Sequence, residues 1–71
     1  MTIDWSQAPD WAQYHAFDRD GRGGYHEKEP YVNKHFSFWR SDGYNWPSVY
    51  TMPAGQDWRQ SLVERPKEET K

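Results

Sequence analysis

The chain contains no cysteine. That excludes a disulfide framework and a thiolate zinc site. Large aliphatic residues are almost as scarce: Ile3, Val32, Val49, Leu62 and Val63 are all of them. No apolar run approaches membrane-spanning length. The opening "MTIDWSQAPDW" has neither a basic start nor an apolar stretch, so no signal peptide is expected. A dominant charge sign is missing too. The formal net charge is -2, which argues against the broadly basic surface of a polyanion binder and against an acidic DNA mimic. Residues 17–35 carry four acids and four bases, and so do residues 57–71, the mixture of an ordinary soluble surface. No glycine-rich loop opens a helix in the phosphate-binding manner, and no serine sits in a nucleophile motif. Glu27 and Glu29 share a strand face, but acid–base work needs a pocket that so short a chain hardly has. Neither an enzyme nor a cofactor is expected.

Aromatic residues are what the chain has instead: five Trp, five Tyr and three Phe in 71 residues. Hydropathy alone would suggest disorder. Each large aromatic buries roughly 150–250 Å², however, so a few of them can build the core of a short chain. One small domain over residues 1–66 follows, with the polar "KEETK" at 67–71 as a disordered tail. Surplus Trp and Tyr are expected on the surface, where they anchor partners.

Along the chain, residues 1–10 read as an ordered arm pinned by Ile3 and Trp5, with Pro9 opposing helix at Ala8. "WAQYHAF" fits a helix or a strand equally well. "DRDGRGG" is a turn, because Gly21, Gly23 and Gly24 permit positive φ; "YHAF" and "GYHEKE" are its paired strands. "HFSFWR" alternates as a strand with Phe36, Phe38 and Arg40 on one face. Asp42-Gly43 signals a type I′ hairpin, with Tyr44 to Trp46 returning antiparallel until Pro47 marks an edge or exit. "SVYTM" offers another short strand. "AGQDWRQSLVERP" predicts the one helix, capped by Asp57, with Trp58 and Leu62 on one face and Pro66 at its end. The fold class expected is α+β: an antiparallel meander of three or four strands with a short C-terminal helix.

"DRDGRGGYHEKE" also has calcium-loop spacing, with Asp18, Asp20 and Glu29 at loop positions 1, 3 and 12. Arg22 occupies an oxygen-donor position, His26 another, and Pro30 stands where the exiting helix should start. The turn reading is preferred and no metal is expected. His15, His26 and His35 would form a metal triad only if the strands aligned them, and no short ligand spacing supports that. The Trp, "DGR" turn, Tyr and later Trp invite comparison with the WW domain, but the tandem aromatics after the turn are here Gly24-Tyr25, and no proline closes the unit at Trp39.

"IDWSQAPDWAQYHAFDRDG" at residues 3–21 and "WRQSLVERP" at 58–66 together resemble a group of short uncharacterised bacteriophage and prophage proteins. These open with a DWSxAPxxA phrase and close with WxxSLxxRP. The resemblance covers roughly 28 residues at the two ends. It implies a phage accessory protein acting in the host bacterial cytoplasm, and it carries no catalytic residues. The function expected is non-enzymatic binding of a host or phage macromolecule, for instance inhibition of a host defence or host enzyme. A minor virion or assembly component and a single-strand nucleic-acid binder are the alternatives. The interface residues expected are Tyr25, Tyr31, Trp39, Arg40, Tyr44 and Trp46, because aromatics and Arg dominate interface energetics.

Overall fold

The structure is a computed structural model and describes residues 3–32 and 34–66. Its frame is one four-stranded antiparallel sheet built from β1 (Tyr14–Phe17), β2 (Arg22–His26), β3 (Asn45–Thr51) and β4 (Val63–Glu64), in the order β3-β2-β1-β4. The hairpin β1–β2 forms as expected, with β1 at the predicted place, but its turn is shorter: β2 begins at Arg22 and ends at His26, so Gly23 and Gly24 lie in the strand and residues 27–29 beyond it. Tyr14 faces His26 and Phe17 faces Gly23 across the ladder. The turn needs the left-handed backbone only at Gly21 (φ 89°), and Asp20 Oδ1 accepts the Arg22 N–H at 3.0 Å to close it. β3 is an edge strand, which is where Pro47 can sit without breaking a ladder on both sides.

β2 and β3 do not run in even register. Arg22 pairs with Thr51 and Gly24 with Pro47, so residues 48–50 bulge opposite Gly23. The bulge turns Ser48 and Tyr50 inward to meet β1. One sheet face thereby gathers His15, Phe17, Tyr25 and Tyr50. Three of these rings, those of Phe17, Tyr25 and Tyr50, stand edge-on to the His15 imidazole with centroids 5.0–5.6 Å away.

The N-terminal segment closes this face, as the pinned-arm reading anticipates. Asp4 caps a single 3₁₀ turn at Trp5–Gln7. Ile3, Trp5, Ala12 and Tyr25 form the buried apolar cluster, with Ala8, Trp11 and Tyr50 packed around it. The Asp4 N–H donates to the Tyr50 hydroxyl at 2.8 Å, tying the arm to the edge strand.

Three expectations are corrected. Residues 58–66 are not a helix. Asp57 does act as an N-cap, but it caps one 3₁₀ turn, Trp58–Gln60, and the chain then enters β4. The Ser61 hydroxyl donates its one proton to Trp58 O at 2.6 Å, with Phe17 O more distant at 3.2 Å, and accepts the Phe17 N–H at 2.8 Å, which diverts the backbone onto β1. Arg65 N–H continues the pairing by donating to Gln13 O at 2.8 Å. Among the described residues the regular elements are strands and 3₁₀ turns, so the α part of the expected α+β class is absent there.

"HFSFWR" is a loop. Tyr31 and Arg40 exchange a pair of backbone hydrogen bonds, and nothing extends the ladder. The alternation within the segment survives locally: Phe36 and Phe38 stack at 5.4 Å, and the Arg40 guanidinium lies over Phe36 at 4.9 Å. Finally, Asp42-Gly43 is not a type I′ turn. Among the described residues positive φ is confined to Gly21 and Gly55. Gly43 is instead a close approach, since a Cβ there would stand 2.5 Å from Glu27 Oε1. The strand that follows pairs with β2 and runs on through Pro47 to Thr51, so the two short segments expected there are one strand. The tail at 67–71 lies outside the described residues.

Candidate binding cleft

The second sheet face is built differently. Alternation places Ala16 on it from β1 and Gly24 and His26 from β2, with Ala16 directly opposite Gly24. Two small residues leave the middle of this face low. The loop at residues 36–41 rises beside it and is fastened by its indole: Trp39 Nε1 donates to Phe17 O at 2.9 Å and more weakly to Trp58 O at 3.3 Å. Asp18 Oδ1 accepts the Trp39 N–H at 2.8 Å, and Ser41 Oγ meets His26 Nδ1 at 2.9 Å. The loop is therefore held at both ends, and a cleft of about 470 Å³ remains between it and β3.

Gly23 and Gly24 form part of its floor. Phe38, Trp39 and Arg40 stand on the loop side, Trp46 and Pro47 on the strand side, with Arg22, His26 and Asn45 between them. A Cβ added at Gly24 would meet only Trp46 O at 3.7 Å and His26 Nε2 at 3.9 Å, which are ordinary contacts. The absence of a side chain there keeps the cleft open and is not demanded by packing. A second, more open depression of about 610 Å³ shares Asp18 and Phe38 with the cleft and is otherwise lined by Arg19, Asp20 and Ser37.

The interface residues expected from sequence divide into three groups. Trp39, Arg40 and Trp46 line the cleft, Trp46 with its carbonyl toward Gly24 and, paired with Tyr25, its ring toward the other face. Tyr44 is exposed beside it and packs on Trp11 at 5.8 Å, while Tyr31 is exposed on the bridge to Arg40. Tyr25 is corrected: it is only 4 % exposed and belongs to the core under Trp5, because strand alternation puts it on the covered face with His15. Sequence reasoning missed Phe38, Arg22 and His26 as cleft residues. The available signal was the Gly23-Gly24 pair inside a strand, a pattern that often marks close approach of a ligand or another backbone.

Burial holds the His26 imidazole below its ordinary pKa, and burial pushes the Asp18 carboxyl up despite the Trp39 N–H it accepts. The Asp18 oxygen is engaged by that loop contact, and Asp20 accepts from Arg22 N, so these two carboxylates serve the turn and its neighbour. His15 and His26 face opposite sides of the sheet, with His35 exposed in the loop. Among the described residues no three His, Asp or Glu side chains gather as a metal site.

His15 and Ser48 have the donor–acceptor pairing of a catalytic dyad, with Nε2 and Oγ 2.8 Å apart. The imidazole is wholly buried and its Nδ1 has no partner, so no carboxylate orients it. Desolvation, helped by the charge of His26, lowers its pKa to about 4. This arrangement locks the bulge of β3 onto β1 and offers no open reaction site.

The two phrases at the chain ends also meet. Arg65 donates through Nη1 to Ala12 O at 3.0 Å, reaches the carbonyls of Pro9 and Trp5 at 3.5 Å, and lies over the Trp5 ring at 5.7 Å. Trp58, for its part, is only half-buried. A small antiparallel sheet with an aromatic, arginine-bearing cleft is the class this geometry defines. No family profile, curated protein or solved structure matches the chain.

Proposed function

We propose that the chain is a non-enzymatic binding module that uses this cleft to hold a partner protein. The observation that carries the reading is the open floor at Gly24 between Pro47 on one side and Phe38, Trp39 and Arg40 on the other. Trp and Arg dominate interface energetics when a partner dries them. Phe38 is 46 % exposed, so it has apolar surface to lose to water exclusion. The resemblance of the end phrases to bacteriophage accessory proteins supports a host bacterial protein as partner, met in the host cytoplasm and blocked by occlusion. Among the described residues no helix is long and apolar enough to cross a membrane.

The test is a tagged pull-down from host lysate, with and without nuclease, using the wild-type chain and Gly24→Val. The expected result is one host protein in stoichiometric amount that survives nuclease and is lost with Gly24→Val. Recovery of nucleic acid alone, of phage structural proteins, or of the same host protein by both chains would overturn the reading.

A further inference from the structure

We infer that the cleft takes an extended segment of a partner protein in which a carboxylate side chain stands beside an aromatic one. This deepens the proposed function and rests on it. Charge comes first. The chain as a whole is at -2, yet its cleft carries two arginines, Arg22 and Arg40, against the single carboxylate of Asp18. Asp18 already accepts the Trp39 N–H and is spoken for. The arginines are held lightly. Arg22 pairs with Asp20 at 3.6 Å, with both side chains mostly in solvent, and such a pair contributes little. Arg40 rests its guanidinium on the Phe36 ring and keeps its N–H fork for another acceptor. A guanidinium binds a carboxylate best, through two parallel hydrogen bonds.

The walls require the second half of the inference. Phe38 and Pro47 flank a floor where Gly24 has no side chain, so a flat ring can lie against the backbone and touch both. Asn45 and Ser41 border the same space and can serve a backbone amide of the incoming segment.

Size and surroundings separate a protein segment from a nucleic acid. About 470 Å³ is room for one or two side chains. A single strand needs a basic groove that tracks its backbone. Here the cleft offers two arginines at one place, Arg22 and Arg40, and no continuous basic track for a run of phosphates.

The test is an NMR titration of the isotopically labelled full chain with acetylated, amidated DEYED, and with DEAED, KKYKK and an oligothymidylate as comparisons. DEYED is expected to give saturable shifts at the Gly24, Phe38 and Arg40 amides, weakening as salt is raised. DEAED and KKYKK should bind at least about tenfold more weakly, and so should DEYED to the double variant Arg22→Gln/Arg40→Gln. Gly24→Val puts a side chain on the floor and should abolish the shifts, with circular dichroism showing that the chain stays folded. Absence of saturable shifts, equal binding of KKYKK, tighter binding of the oligothymidylate, or shifts that persist in Gly24→Val would each overturn the inference. If DEYED fails while a host protein is still captured in a Gly24-dependent way, this inference falls and the proposed function stands. If the capture ignores Gly24→Val, the cleft reading itself falls.

Discussion

A methyl group added to Gly23 would collide with Ser48 Oγ and stand 2.8 Å from His15 Nε2, whereas one added to Gly24 would make only ordinary contacts. The neighbours should therefore respond with opposite sign. Gly23→Ala is expected to destabilise the chain by roughly 1–3 kcal/mol through overpacking. Gly24→Ala should be neutral or stabilising by about 0.4–1 kcal/mol, because it restricts the unfolded chain without native strain. Urea denaturation of both variants checks this, and equal effects would mean that the two faces are assigned wrongly. His15 sets a second expectation. Its pKa falls from 6.5 to about 4 on folding, so the native state refuses a proton that the unfolded chain accepts. This contribution to stability is complete above pH 6.5 and is lost as pH falls from 6.5 to about 4, with His26 acting in the same direction. The raised Asp18 carboxyl acts oppositely, from its raised value down to the ordinary carboxylate range. Melting temperature measured across that window should fall in the wild type, and His15→Gln should flatten the slope.

At the scale of elements, the segments that carry the predictions are the ones the chain's two ends supply. Ser61 is buried and serves both backbone groups of Phe17, so Ser61→Ala should cost about 1–3 kcal/mol by leaving the Phe17 N–H dry and unpaired. Arg65→Ala should cost about 1.5–3 kcal/mol, since it strips a charged donor from three carbonyls at once. Arg65→Lys should recover only part of that, because a point charge cannot serve several carbonyls as a fork does. Thermal melts decide both. The turn at 18–22 should ignore calcium: Asp18 is bonded to Trp39 N and Asp20 to Arg22 N, and millimolar calcium should leave the melting temperature unchanged. That hairpin was legible in the sequence because its instructions are local, an Asp-rich turn with one glycine that must take positive φ. The end at 58–66 was misread for the same reason. Asp57 announces a cap, but a cap serves a 3₁₀ turn as well as a helix. What diverts the chain is Ser61 meeting Phe17, 44 residues away.

For the whole molecule, the aromatic inventory announced an aromatic core, and Trp5, Phe17 and Tyr25 are buried in it, while the other four Trp stand partly or largely exposed, so the roles of individual rings came from topology. Tyr25 looked like a surface anchor until strand alternation placed it beneath Trp5. Trp39, Arg40 and Trp46 were legible as partners of one another only by type. Their convergence depends on an edge strand paired to β2 and a loop pinned on Phe17. The cleft itself had a local sign, two glycines in a strand, but its depth comes from Ala16 opposite Gly24 across the hairpin.

The order β3-β2-β1-β4 has a consequence for how the chain comes into being. β1 lies in the interior of the sheet, yet one of its two neighbours is β4, whose residues Val63 and Glu64 pair with His15 and Tyr14. A ribosome delivers β1 and β2 early, but the sheet waits for residues 27–64 before β1 is flanked on both sides. Until then Phe17 lacks Ser61, and the carbonyls of Trp5 and Ala12 lack Arg65. Folding should complete only after synthesis passes Arg65, in one late step on the millisecond-to-second scale typical of sheets closed by distant contacts. Chains arrested before that residue should be degraded by a protease that leaves the finished chain intact.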